Sequence, residues 1–219
     1  MTRLGLLGGT FDPPHYGHLI AAQEVAWRLH LDRVLFLPAR QNPLKRGERS
    51  SAAEDRCQMV ALAIDDDPRF ALSRLDLDRP PPSYSADLLR ALASPESELF
   101  FMVGADIVPE LPKWREPEEI LRLARLVVVN RPGAPDPDLE GLVKSFPATS
   151  GRVDCVRIPG VDVSSTEIRQ RVRAGAPIRY LTPPAVERYI AEKQLYLSAS
   201  RKHPSPQPSP SGRGSRTNP

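Results

Sequence analysis

The sequence predicts an α/β fold, a doubly wound and mainly parallel sheet with helices on both faces, and three observations carry that reading. Apolar runs of strand length alternate along the chain with stretches whose apolar residues recur at helical spacing. Runs such as residues 33–37 (Arg-Val-Leu-Phe-Leu) and 126–129 (Leu-Val-Val-Val) are apolar almost throughout, which suits parallel strands covered on both faces. The first run meets the first helical pattern through Gly8-Gly9. Glycines at such a turn let a ligand approach backbone N–H groups and the positive end of the helix dipole.

Taken in order, residues 3–7 form the opening strand and residues 16–30 the first helix, where Leu19, Ala22, Ala26 and Leu29 share a face. Trp27 on that helix reads as packing. Residues 33–37 complete a β-α-β unit, whose crossover is right-handed on general grounds and whose ligand side is the carboxyl edge of the strands. A polar loop, residues 39–51, leaves that edge and carries Arg40, Lys45, Arg46 and Arg49. It is either a solvated surface loop or a cover whose lysine closes over anionic substrate. A second amphipathic helix spans residues 53–66, and residues 70–72 suggest a third strand. Pro80-Pro81-Pro82 interrupts the chain before a helix over residues 86–93, with Ser85 as its N-cap.

Residues 98–103 form a buried strand that runs into Gly104-Ala105-Asp106, placing a glycine and an acid on the ligand edge. A helix over residues 116–123 and a strand over 126–129 follow, the latter ending near Arg131. Residues 134–152 are Pro-rich and then weakly helical, and residues 154–158 give a last strand. Ser164-Ser165-Thr166-Glu167-Ile168-Arg169 opens a helix that continues to about residue 173, and residues 183–194 form a closing helix. The tail, residues 198–219, repeats Ser-Pro steps with Gly and Arg and cannot bury a core. It is expected to be disordered, beyond a domain of residues 1–197.

Bulk properties narrow the function. The 219 residues suit one domain or at most two small ones, with 40% hydrophobic residues to build a core. Formal charge is +3, but Arg201, Lys202, Arg213 and Arg216 lie in the tail; without them 26 basic residues face 27 acidic ones. The basic pI of about 9.0 is thus largely a property of the tail, and no nucleic-acid partner is expected. Cys57 and Cys155 stand far apart without a Cys-x-x-Cys spacing, as reduced thiols of a cytoplasmic protein do. No apolar run approaches the ~20 residues of a membrane span, and no signal-peptide pattern opens the chain, so no membrane partner is expected. Oligomeric state is not encoded legibly, which leaves a homo-oligomer open.

His15 and His18 are three residues apart, a spacing that puts two imidazoles on one face of a first helical turn, directed back toward the strand end. Three readings compete. They are surface residues at a helix start, or a metal site with Asp12, or hydrogen-bond donors to a phosphoryl group in transfer. Helical metal motifs more often use i, i+4 spacing and four ligands. Backbone amides, a dipole and two imidazoles around one developing charge favour the third reading. At the second motif, Ser164 and Ser165 can cap a helix and leave N–H groups for an anion, which Arg169 can reach with its planar fork.

Gly9-Thr10-Phe11-Asp12-Pro13 followed by His15-x-Gly17-His18 resembles the signature of the nucleotidyltransferase superfamily, and Ser164-Ser165-Thr166-x-Ile168-Arg169 matches its triphosphate-holding motif at every fixed position. Residues 1–197 as a whole resemble its bacterial nicotinate-nucleotide adenylyltransferase branch. The resemblance implies a Rossmann-like fold and adenylyl transfer from ATP to nicotinate mononucleotide, giving deamido-NAD and pyrophosphate, with Mg²⁺ associated with the triphosphate. It implies a catalytic set of His15, His18, Lys45 and Arg169. It further implies ATP or phosphate contacts at Gly8, Gly9, Thr10, Phe11, Asp12, Gly104, Asp106, Ser164, Ser165 and Thr166. Tyr84, Ser85, Trp114 and Arg131 fall to the nicotinate nucleotide, with Gly104-x-Asp106 bordering the same pocket and the Trp114 indole stacking on the pyridine ring. The chain departs from the Ser-Tyr-Thr-x-x-Thr-Leu pattern at Leu88, where the branch has a threonine. The alternatives are adenylyl transfer to another phosphomonoester such as phosphopantetheine, whose branch typically carries Thr where His15 stands, and a non-catalytic nucleotide-binding protein.

Overall fold

The computed structural model describes residues 1–40, 50–80, 84–130 and 135–197. Six strands form one sheet: β1 (Thr2–Gly9), β2 (Arg33–Pro38), β3 (Phe70–Leu72), β4 (Ser97–Gly104), β5 (Ala124–Asn130) and β6 (Val153–Arg157). Their order is β3-β2-β1-β4-β5-β6 and every pairing is parallel. This is the doubly wound Rossmann order, so the sheet is wholly rather than mainly parallel across the described strands. The connecting helices are α1 (Tyr16–Arg28), α2 (Ala53–Ile64), α3 (Leu75–Asp78), α4 (Ser85–Leu92), α5 (Pro117–Leu123), α6 (Leu139–Ser145), α7 (Ser165–Ala174) and α8 (Pro184–Glu192).

The near-continuous apolar runs follow from burial on two faces. Along β4, Phe100 and Met102 join a core with Val25, Phe36, Met59, Ile168 and Val186, beneath α1, α2, α7 and α8. Leu99, Phe101 and Val103 alternate into a second core with Leu89, Leu111, Ile120 and Leu142, beneath α4, α5 and α6. Each fully buried side chain of this size contributes roughly 1.5–3 kcal/mol, so a polar residue at any of these positions would unbalance one face or the other.

Several expectations need correction. Trp27 is 67% exposed, because position 27 turns away from the buried stripe of Ala21, Ala22, Val25 and Ala26, and Arg28 lies over its ring. Ser85 is the first helical residue of α4, with Tyr84 in the extended N-cap position. Residues 105–113 wind as a 3-10 helix, since Pro109 and Pro112 remove the donors an α-helix needs. The short α3 was not read from the sequence, four residues being too few to show a period.

The chain winds outward from β1 through β2 to β3, then returns to β4 on the other side of β1. Ligands of such sheets bind in the crevice at that reversal, outside the carboxyl ends of the strands. Here the crevice lies between Gly8-Gly9 of β1 and Gly104 of β4.

Candidate active site

The turn from Thr10 to His15 leaves β1 and is held from five directions. Its carbonyls accept bonds from distant side chains: Thr10 O from Arg56 Nη1 (2.8 Å), Asp12 O from Arg169 Nη1 (2.8 Å), Pro13 O from Ser165 Oγ (2.8 Å) and Pro14 O from Thr182 Oγ1 (2.7 Å). The Asp12 carboxylate, 2% exposed, accepts from Tyr196 Oη (2.7 Å) and the Ser51 N–H (3.0 Å). At the helix end, Tyr16 N–H donates to Leu181 O (3.2 Å). A proline-containing turn has few donors of its own, so its carbonyls must be met from outside if they are not to be left unsatisfied.

His15 occupies the extended N-cap position of α1, and its backbone N–H donates to His18 Nδ1 (3.2 Å). That bond makes Nδ1 an acceptor and so leaves the neutral ring's proton on Nε2, a donor on the opposite edge. The two imidazoles stack with centroids 3.7 Å apart and planes 29° apart. The Phe11 ring, its residue at φ +50, meets His18 edge-on at 4.9 Å. Gly17 explains how the pair fits: a Cβ there would come within 3.0 Å of the His15 ring. Gly9 plays the same part for Phe11, whose ring would lie 3.1 Å from an added Cβ. At Gly8, by contrast, a Cβ would meet no atom within 4 Å, and its backbone faces the open crevice.

That crevice is a cavity of about 480 Å³, within the range of small-molecule sites. Gly8, Gly9, Gly17 and His18 line it from the β1 side, and Tyr84, Ser85, Leu88, Gly104, Asp106 and Trp114 from the β4 side. Trp114 sets its edge against Phe101 at 6.2 Å, and the Arg115 guanidinium lies 4.4 Å over the Tyr84 ring. The start of α4 supplies first-turn N–H donors beside the Ser85 hydroxyl, which can donate as well. Leu88 makes the wall apolar where a hydroxyl is absent.

Other sequence-chosen residues surround the turn rather than the cavity. Phe11 (1% exposed) and Asp12 are turned into the protein, so neither side chain borders the space in which a nucleotide would lie. His15 is likewise buried, behind His18. On α7, Ser164 accepts from Glu167 N–H as the N-cap, while Ser165 and Arg169 hold the turn and Arg169 also reaches Thr166 Oγ1 (3.3 Å). Ser165 is thus not a second cap. With Asp12 bonded to Tyr196 and Ser51, an Asp12–His15–His18 metal site is not assembled, and the described residues hold no group of three or more His, Cys, Asp or Glu suited to a metal. Lys45 and Arg131 lie outside the described residues.

Four residues were missed. Arg56 is 1% exposed beneath the turn, and burial pulls its guanidinium below the ordinary arginine value while Asp12 acts the other way. It stays charged, as arginines do, and adds a fixed positive charge behind the glycine turn. Its signal was legible: a lone arginine on the apolar face of α2, one turn from Val60. Asp76 lines the cavity and accepts from Arg40 N–H (2.9 Å), but lies in the unread α3. Thr182 and Tyr196 carry no local pattern.

A family model described as cytidylyltransferase-like matches residues 6–171. A probable nicotinate-nucleotide adenylyltransferase of Roseiflexus sp. (strain RS-1) is 50% identical over 194 residues, covering 88% of this chain and 97% of its own. One from Symbiobacterium thermophilum is 46% identical over 203 residues, 90% of this chain and 96% of the relative. Among solved structures, the Plasmodium falciparum nicotinic acid mononucleotide adenylyltransferase complexed with NaAD superposes with a TM-score of 0.74 at 19% identity, over 90% of this chain and 98% of that one.

Proposed function

The chain belongs to the cytidylyltransferase-like family, among its nicotinate-nucleotide adenylyltransferases, and from that premise we propose how its site joins nicotinate mononucleotide to ATP, giving deamido-NAD and pyrophosphate in NAD biosynthesis. One observation carries the assignment of parts: a single cavity has the glycine turn with His18 on one side and a donor-rich helix start with Trp114 on the other. The first side suits phosphates and the second a flat ring bearing a carboxylate.

The nucleophile needs no general base. A phosphate monoester has its second pKa near ~6, so the mononucleotide's oxygen is already anionic at neutral pH. What the protein supplies is alignment and charge stabilisation while the α-phosphoryl passes between two oxygens. In this reading His18 donates from Nε2 to an α-phosphate oxygen, and His15 holds the His18 ring by stacking and by its backbone bond to Nδ1. The Gly8-Gly9 backbone receives phosphate, and Arg56 biases the turn toward anions from behind. Ser165 and Arg169 hold the turn in place, and the remaining Arg169 N–H groups meet triphosphate oxygens. ATP would enter as its Mg²⁺ complex, the ion being held mainly by the triphosphate and water. Lys45 and Arg131 are assigned to triphosphate and nicotinate nucleotide as the family motif implies.

No helix among the described residues is long and apolar enough to cross a membrane, and the two free thiols suit a cytoplasmic enzyme. Incubation with MgATP and a panel of phosphomonoesters tests the reading through pyrophosphate release. Nicotinate mononucleotide is expected to give the fastest release. Release with phosphopantetheine and none with nicotinate mononucleotide would replace it.

A further inference from the structure

We propose that Tyr196 is a positioning residue for adenylyl transfer, holding the turn that carries His15 and His18 through its hydroxyl bond to the Asp12 carboxylate. The proposal deepens the function above and rests on it for its kinetic consequences. Tyr196 lies 184 positions from Asp12, near the end of the described chain and just past α8, yet its hydroxyl sits 2.7 Å from Oδ1. The same hydroxyl lies 3.7 Å from Met59 Sδ on α2, and the ring packs with Leu195 against the core under α1 and α2.

Three features make this more than one more buried contact. Asp12 is 2% exposed, so water cannot replace a lost donor at Oδ1, and a carboxylate deprived of it must turn elsewhere. Asp12 also adjoins Phe11, whose ring touches His18 at 4.9 Å, so a movement of Asp12 passes directly to the imidazole that lines the cavity. Finally, Tyr196 sits at φ +64 and Gln194 at φ +50, a left-handed backbone that bulky residues adopt only where their surroundings impose it. The chain accepts that conformation where it delivers the phenol to Asp12. Burial, reinforced by Asp12, pushes the phenol well above the ordinary tyrosine value, so it remains a donor throughout the pH range of nucleotide chemistry.

The fold contains a matched control. Tyr189, on α8, makes the same kind of bond, its hydroxyl donating at 2.8 Å to Asp55 Oδ1 on α2, a carboxylate outside the turn. Tyr196→Phe and Tyr189→Phe each remove one hydroxyl-to-carboxylate bond and keep the ring. Both full-length variants are assayed below their melting temperatures for pyrophosphate release, and their histidine imidazole resonances are recorded by NMR. For Tyr196→Phe, kcat should fall ~10-fold with KM for both substrates changed less than ~2-fold, the mark of misplaced rather than missing groups. The His18 resonances should move. Tyr189→Phe should keep kcat within ~2-fold and leave those resonances in place. If Tyr196→Phe retains full kcat and unmoved imidazole signals while losing stability as Tyr189→Phe does, Tyr196 is structural only and the proposal falls. Should Tyr196→Phe fail to fold, Asp12→Asn weakens the same bond and must show the same kcat loss and the same resonance shift. A wild-type protein that released no pyrophosphate, with Tyr196→Phe still shifting the imidazole signals, would overturn the catalytic reading and leave the positioning role standing.

Discussion

Replacing Gly17 with alanine should separate activity from stability. A Cβ at position 17 would come within 3.0 Å of Cε1 and Nδ1 of His15 and 3.4 Å of Val163 Cγ1, where ordinary contact begins at about 3.4 Å. The His15 ring must therefore yield by a few tenths of an ångström. It is 3% exposed and already stacked at 3.7 Å on His18, so the displacement passes into the second imidazole rather than into solvent. A misplacement of ~1 Å at a reacting group costs on the order of 10²-fold, roughly 2.7 kcal/mol, so a shift of this size corresponds to about 1 kcal/mol of barrier, or a ~5- to 10-fold fall in kcat. Stability should hardly move. Alanine favours a helix over glycine by about 0.5–1 kcal/mol, which offsets the cost of the tight contact. Initial-rate pyrophosphate release at saturating substrates, beside urea denaturation of the same preparation, reads both quantities. Wild-type kcat with unchanged stability would refute the view that Gly17 exists to seat the His15 ring.

Other outcomes follow from the same site. His18→Ala should lower kcat by ~10²- to 10³-fold with little change in KM for ATP, and near-wild-type turnover would remove this imidazole from the mechanism. Nicotinate mononucleotide should exceed its amide in kcat/KM by at least ~10²-fold, because the first-turn N–H groups of α4 only donate and would face the amide's NH₂ donor; equal values would sink the pocket assignment. Truncation after Leu197 keeps Tyr196 and every contact to the turn described above, so melting temperature and activity should persist, and a large loss of either would show that residues 198–219 contribute. The Tyr189 phenol is pushed up to about 12 from an ordinary 10, by burial first and then by its bond to Asp55. Its contribution to stability is therefore complete below pH 10 and lost as pH rises toward 12, since the unfolded chain gives up that proton first. Denaturation curves of wild type and Tyr189→Phe should converge over that window, and a constant gap would refute the assignment.

Legibility followed the range of the interactions. Strands and helices repeat every two or 3.6 residues, so Phe100 and Phe101 could be read as core without knowing which face each takes. The glycines and histidines of the first turn are local too, and Gly8, Gly9 and His18 line one cavity with Tyr84, Ser85, Gly104, Asp106 and Trp114. What escaped was whatever depends on remote partners. Asp12 looks like a ligand residue in a glycine-rich turn, yet Tyr196 and Ser51 claim both its oxygens. Arg169 looks free to reach an anion, yet one of its nitrogens already holds the Asp12 carbonyl. Trp27 reads as packing by residue type, although helical phase places it outside.

The bonds that hold the turn before α1 have a consequence for how the enzyme comes into being. They join positions separated by 39 to 184 residues. Non-local closures of this kind lose chain entropy before any contact compensates, and they slow folding. During synthesis, β1 and α1 emerge first, but Ser165, Arg169, Thr182 and Tyr196, which bond Pro13, Asp12 and Pro14, emerge last. A nascent chain therefore holds its histidines long before those four residues are present to fix the turn that carries them. A translation product interrupted before Ser165 would have every described strand and none of those four bonds.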